Sequence, residues 1–282
     1  MFKKLLITVL VVSMLVVLGA CANTNTPAET PTETPAETPA ETPAEGKVGQ
    51  IKAAGKIVLG TAADYPPYEF HKLIDGKDEI VGFDIEIAKL IAKDLGVELE
   101  IVDMKFDGLL PALVTDDIDF VIAGMVANEE RSKTVDFSIP YYAARQRMVV
   151  RAEDKDIYKS PADLAGKSVG AQKTTIQEEI ALEQFAESQY VGLSKITDLI
   201  LELQNKKIDA VILAEPVAKA YVAQNSALHL PELDLGSEDG VAIAVNKGNT
   251  DLVEEFNRIL EGYLADGTIE NLIVEATKLS EE

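Results

Sequence analysis

The chain has 282 residues, enough for two domains, and its apolar share of 47% is that of an ordinary globular protein. Its formal charge of −22 gives a surface that repels nucleic acid and anionic lipid. A single cysteine, Cys21, excludes an internal disulfide, and with only His71 and His229 no His/Cys metal cluster can be assembled, so no metal or other cofactor is expected.

Met1-Phe2-Lys3-Lys4 is a short basic segment, residues 5–18 are apolar, and Gly19-Ala20 supplies small residues before Cys21. Residues 1–20 therefore read as a secretory signal, with an apolar run short for a full membrane span. Leu18-Gly19-Ala20-Cys21 resembles a bacterial lipobox, which implies cleavage before Cys21 and a lipid on its sulfur. The expected location is then extracytoplasmic, anchored by lipid to the outer face of the cell membrane. Residues 21–46 are dominated by a four-residue Pro-Ala-Glu-Thr repeat from Pro27, which can form no core and reads as a disordered, extended tether.

The folded part starts near Lys47. Lys56–Thr61 reads as a strand that Pro66 and Pro67 prevent from continuing. Gly82-Phe83-Asp84 opens a helix with Asp84 near its N-cap. Phe83, Ile87, Leu90, Ile91 and Leu95 share one face, and Gly96 closes it. Residues 97–102 read as a second strand, 109–115 as a helix capped by Asp107 with Pro111 in its first turn, and 119–123 as a third strand. That alternation means α/β with a mainly parallel sheet. The third strand stops at Gly124. Asn128 then reads as a helix N-cap, with Glu129 and Glu130 in the first turn and Arg131 following. A strand end, exposed backbone, a helix N-terminus and a fixed cation suit a carboxylate; the plainer alternative is a surface arginine on a turn.

FDGLLPALVTDDIDFVIA from Phe106 is echoed by ITDLILELQNKKIDAVIL from Ile196, and KIVLGTAA from Lys56 by KSVGAQKT from Lys167. The match of apolar positions argues for two similar α/β lobes. Residues 146–151 read as a strand leaving the first lobe and 240–246 as one returning. The first lobe is then 47–147 with 243–282, the second 148–242, and two crossings make a hinge over a cleft. Residues 251–277 read as two helices, the first with Leu252, Phe256, Ile259, Leu260 and Tyr263 on its apolar face, divided by Gly267 with Thr268 as the next cap.

Seven segments carry a more specific likeness: GTAADYPPYEF from Gly60, VGFDIEIAKLIAKDLG from Val81, FDGLLPAL from Phe106, the AGM, ER and VDFSIPYY elements between Ala123 and Tyr142, DLAGKSVGAQKTTIQEE from Asp163, IDAVILAEPVAKAYV from Ile208 and ADGTIENLI from Ala265. In order and spacing, over residues 47–277, the chain resembles the bacterial solute-binding proteins of family 3, amino-acid receptors of ABC importers. The resemblance implies two Rossmann-like lobes joined by a two-strand hinge, the type II periplasmic-binding-protein fold. It implies a lipid-anchored receptor that passes an amino acid to a permease and does no chemistry itself. A monomer is expected, because a large dimer interface would obstruct the hinge.

By the same resemblance Tyr65 and Phe106 are aromatic walls. Gly124, beside Met125, offers its carbonyl to an α-ammonium. Arg131 grips an α-carboxylate, assisted by the Val126 N–H. From the second lobe Thr174 and Thr175 donate to that carboxylate at a helix start, and Gln172, Ile176 and Gln177 shape the side-chain pocket. The chain departs from the pattern in three places: Val126 replaces a Ser or Thr, Thr174 a Gly, and Ala214 an Asp that pairs with the ammonium. Glu215 is the candidate to take over that pairing. Ala62 also lacks an acid found in receptors for basic amino acids, for which Asp64, Glu69 and Glu215 could substitute. A neutral or polar amino acid comes first on this reading and a cationic one next. Two alternatives remain open: an enzyme on the same scaffold, such as a cyclohexadienyl-type dehydratase using Asp64, Glu69 and Glu215, and a ligand-sensing module.

Overall fold

A computed structural model describes residues 46–282. The secretory signal, the lipid site at Cys21 and, but for Gly46, the tether lie outside the described residues. Helix α1 (Lys47–Ala54) leads into strand β1 (Lys56–Thr61), whose Ile57 and Leu59 are fully buried. Next come β2 (Asp64–Tyr65), β3 (Glu69–Ile74) and β4 (Lys77–Val81), a small antiparallel meander of its own. Its hairpin turns at Asp75 and Gly76, with φ of 51° and 78°, the paired left-handed geometry that matches strand twist in a two-residue loop.

Helix α2 (Phe83–Leu95) buries Phe83, Ile87, Ile91 and Leu95 with Ile85 and Ala88, leaves Leu90 half exposed, and ends on left-handed Gly96. Its N-cap is Gly82, not Asp84, which instead lies buried in the first turn. Then follow β5 (Glu98–Asp103), α3 (Phe106–Val114), β6 (Phe120–Val121) and β7 (Val135–Phe137). Helix α3 starts before Asp107 rather than after it, so Pro111 sits in its interior and Asp107 in its first turn. No α-helix follows Asn128. Its side chain does accept the Arg131 N–H at 2.9 Å, but only a single 3₁₀ turn, Arg131–Lys133, forms before β7.

The second half gives β8 (Gln146–Arg151), β9 (Ser168–Gln172), α4 (Ile176–Gln184), β10 (Gln189–Leu193), α5 (Ile196–Gln204), β11 (Ala210–Ala214), α6 (Glu215–Gln224) and β12 (Leu228–His229). It closes with β13 (Ala244–Asn246), α7 (Thr250–Ala265) and α8 (Thr268–Glu281). Two five-stranded sheets result, ordered β5-β1-β6-β13-β7 and β10-β9-β11-β8-β12. In each, the first strands run parallel and the crossing strand runs antiparallel. The chain passes between the lobes twice, and the passages pair as antiparallel neighbours at Tyr142 with Val241 and Arg145 with Ser237. Helices pack on both sheets. Phe256, Leu252, Ile259 and Leu260 of α7 are buried on the first, each worth roughly 1.5–3 kcal/mol relative to exposure.

The internal echo is physical. Asp119 accepts the Val58 N–H (2.8 Å) while its own N–H donates to Val58 O (2.9 Å); Asp209 and Ser168 repeat the pair at 3.0 and 2.8 Å. One register of the sequence alignment needs correcting, however. Gly60 faces Val121 of β6 and Gly170 faces Val211 of β11, so Gly60 corresponds to Gly170, one residue from the register set by Lys56 and Lys167. The reason is packing. A β-carbon on Gly60 would meet Ile118 and Leu109, and one on Gly170 would meet Ile208 and Leu199, the corresponding pair.

Candidate functional site

The carboxyl ends of β1 and β6 open toward the second lobe. Tyr65 is held there by tilted aromatic contacts: its ring centre lies 5.1 Å from that of Tyr68, which lies 4.5 Å from that of Phe83. Gly124 permits this. Its φ is 52°, and a β-carbon would sit 2.9 Å from the Tyr65 ring. Its N–H donates to Asp84 (2.8 Å), which also accepts the Tyr141 hydroxyl (2.8 Å). Asp84 thus pins the strand end rather than capping its own helix.

Arg131 projects from the 3₁₀ turn and is 8% exposed. Nη1 donates to Val126 O at 2.6 Å and Nη2 to Thr174 O at 2.7 Å, the second bond reaching the other lobe. Its guanidinium lies 5.5 Å from the centre of the Phe106 ring. Burial lowers its pKa to about 10, leaving it fully charged at neutral pH. On the second lobe Thr175 caps α4, accepting the Glu178 N–H (3.3 Å) and donating to Gln172 O (2.6 Å). Gln177 Nε2 donates to Gln146 Oε1 at 2.8 Å and to the Tyr65 hydroxyl at 3.3 Å, and Gln146 donates to Glu238.

At the acidic side, Asp64 Oδ2 accepts the Ile196 N–H (2.7 Å) at the start of α5 in the opposite lobe, while Oδ1 is buried without a partner. Glu69 is fully buried, with the Asp84 carboxyl beside it within hydrogen-bonding reach and, among the described residues, no other donor on its oxygens. Burial pushes the Asp64 carboxyl up to about 6. Burial, with the charge of Asp84 beside it, pushes Glu69 well above the usual carboxylate range.

One cleft is lined by Ala62, Asp64, Tyr65, Glu69, Phe106 and Ala123 with Gly124, Val126, Arg131, Gln172, Thr175, Ile176 and Gln177. Of the residues singled out from sequence, Met125 and Thr174 line a neighbouring outer hollow instead, on which Phe106, Arg131 and Thr175 also border. Glu215 does not reach the cleft. Lys219 at 2.8 Å and Arg147 at 3.5 Å hold it at another hollow and keep its carboxyl below the usual range. Asp84, Gln146 and Glu238 were not anticipated, and nothing local marks them, since each acts through a partner at least 31 residues away. Among the described residues no group of three His, Cys, Asp or Glu is placed to hold a metal ion.

The family model of bacterial extracellular solute-binding proteins, family 3, matches residues 57–275. The chain belongs to this family. Like its relatives, this solute-binding protein is a transport receptor rather than an enzyme. It is 39% identical over 222 residues to the arginine-binding extracellular protein ArtP of Bacillus subtilis, covering 77% of this chain and 84% of that one. The amino-acid ABC transporter substrate-binding protein AbpA of Streptococcus pneumoniae, solved with L-arginine, superposes with a TM-score of 0.80 at 40% identity, over 83% of this chain and 99% of the other. An ancestral arginine-binding protein bound to glutamine superposes with a TM-score of 0.72 at 40% identity, over 77% and 96%.

Proposed function

We propose that this solute-binding protein captures an amino acid with a cationic side chain, arginine first, and delivers it to an ABC permease. One observation carries the reading: Asp64 Oδ1 is buried without a hydrogen-bond partner in the cleft that Glu69 and Arg131 also line. A buried carboxylate oxygen without a donor is costly, and a guanidinium offers five donors to meet it. The ligand carboxylate goes to Arg131 and the Thr175 end of α4, with the aliphatic stem between Tyr65 and Phe106. The order of preference inferred from sequence, neutral before cationic, is thereby reversed. The lobes 47–147 with 243–282 and 148–242 close on the ligand, since each supplies part of its contacts.

Calorimetric titration tests this. Arginine is expected to bind more tightly than glutamine, and Asp64→Asn, which retains an oxygen for the Ile196 N–H, to lower arginine affinity at least tenfold. Preference for glutamine, or an unchanged Asp64→Asn, would sink the cationic assignment. We further propose that Cys21 carries a lipid and tethers a monomeric receptor outside the membrane; incorporation of labelled palmitate, lost in Cys21→Ala, tests the anchor, and light scattering tests the monomer.

A further inference from the structure

A row of hydrogen-bonded side chains runs from the hinge to the cleft. Ala144 lies on the first crossing and Glu238 on the second, and their backbones pair, the Glu238 N–H donating to Ala144 O at 3.1 Å. The Glu238 carboxylate accepts twice: the Ala144 N–H on Oε1 (3.1 Å) and Gln146 Nε2 on Oε2 (2.8 Å). Gln146 is 1% exposed, and its Oε1 accepts Gln177 Nε2 at 2.8 Å. The same Gln177 nitrogen donates to the Tyr65 hydroxyl at 3.3 Å. Gln177 is itself buried and lines the cleft. Among the described residues both hydrogen bonds of its amide run through Nε2, which leaves Oε1 for the cleft.

The order of donors and acceptors along this row is forced. An ionised carboxylate only accepts, whereas an amide has one accepting and one donating end. Gln146 must therefore turn its NH2 to Glu238 and its oxygen to Gln177. Gln177 must then turn its NH2 to Gln146, and its oxygen is what remains. Both amides are buried, so a reversed pair, oxygen against oxygen or NH2 against NH2, forfeits a hydrogen bond that water does not replace. The Tyr65 hydroxyl rotates to suit either end and imposes no order of its own.

Resting on the reading above, we propose that Glu238 and Gln146 are positioning residues for ligand selection: they hold the Gln177 oxygen toward the ligand's cationic end, so that the cleft prefers a side chain that only donates. A guanidinium meets that oxygen, and a ureido group turning its own carbonyl there does not.

The test is calorimetric titration of the full chain with L-arginine and with L-citrulline, which has the same skeleton with a ureido group in place of the guanidinium. It is done at pH 8.5, above the value of about 7 to which burial raises the Glu238 carboxyl. Glu238→Gln leaves one oxygen, which the fixed Ala144 N–H claims, so that its NH2 meets Gln146. Gln146 and then Gln177 turn over, and an NH2 faces the cleft. The preference for arginine over citrulline is expected to narrow by about tenfold or more, chiefly through loss of arginine affinity. In a chain carrying Gln177→Glu, which offers an acceptor to the cleft in either arrangement, Glu238→Gln should not weaken arginine at all. An unchanged preference, equal losses for both ligands, or the same arginine loss in the Gln177→Glu chain overturns the proposal. Should Glu238→Gln not fold, Gln146→Met, which breaks the row at its middle, carries the test: the preference again narrows, and an unchanged one overturns the proposal. Failure of the wild-type chain to bind arginine overturns instead the functional reading on which the proposal rests.

Discussion

Arg131 spans two carbonyls, Val126 O and Thr174 O, and still faces the cleft. A lysine cannot do both, because its ammonium is a point donor without a planar fork. Arg131→Lys is therefore expected to lower arginine affinity by about a hundredfold or more, measured by calorimetry. Thr174 shows a different constraint. The position where the family pattern places Gly holds a β-branched residue at φ 63°, a left-handed backbone that such side chains disfavour. It stays there because its N–H donates to Glu178 and its carbonyl accepts from Arg131. Thr174→Gly should relieve this strain and raise the unfolding free energy by about 1 kcal/mol, read from urea denaturation. An unchanged midpoint would mean that the left-handed turn is not strained.

At the scale of elements, each lobe places a glycine strand beneath a leucine and an isoleucine from the helix–strand unit that follows. Gly60 lies under Leu109 and Ile118, and Gly170 under Leu199 and Ile208. Gly60→Ala and Gly170→Ala should each destabilise the protein by roughly 1–3 kcal/mol through overpacking, in thermal denaturation. If one is neutral, the two lobes are not packed alike. Elements also meet across the cleft. Asp64 accepts from the α5 N-terminus, the Tyr221 hydroxyl of α6 donates to Asp64 O (2.8 Å), and Ser194 donates to Asp107 (2.8 Å). The acid proposed to meet the ligand's cation thus also holds a helix of the opposite lobe.

For the whole molecule, the buried acids set the response to pH. Burial pushes Glu238, beside the two crossings, up to about 7, and Asp84 up to about 6. A carboxyl whose pKa is raised on folding binds more protons in the folded chain than in the unfolded one. Its contribution is therefore lost as pH rises from its unfolded value through its folded one, for Glu238 from about 4.5 to about 7. Glu238→Gln should remove a fall in unfolding free energy between pH 5 and 8 on the order of 2 kcal/mol, measured by denaturation at both values. Ligand binding runs the other way. A cation at Asp64 and Glu69 needs them ionised, so arginine affinity should rise from pH 5.5 to 7.5 with proton release. Titration in buffers of different ionisation enthalpy reads this, and proton uptake would contradict the placement of the cation.

Local chemistry was legible in the sequence because it is decided by neighbours a few residues apart. The periodicity and terminal glycine of α2, the bounds of β1 and β8 and the two closing helices stand close to where propensity and capping put them, and α4 starts after Thr175 as the family resemblance implied. The Asp-Gly turn of the β3–β4 hairpin carried a clear local signal as well, though the meander was missed. Arg131 could be singled out from its local setting, and Tyr65, Phe106 and Thr175 through the family resemblance; the structure gathers the four into one cleft. The tertiary structure alone decided the remainder. Whether Asp84 caps its helix or anchors Gly124 depends on a partner 40 residues away. Whether Glu215 reaches the cleft depends on Arg147 from the neighbouring strand as well as Lys219. Which carboxyl oxygens are buried without a partner is a property of the packed cleft. A charge is solvated or stranded by what the fold brings around it, and no spacing along the chain records that.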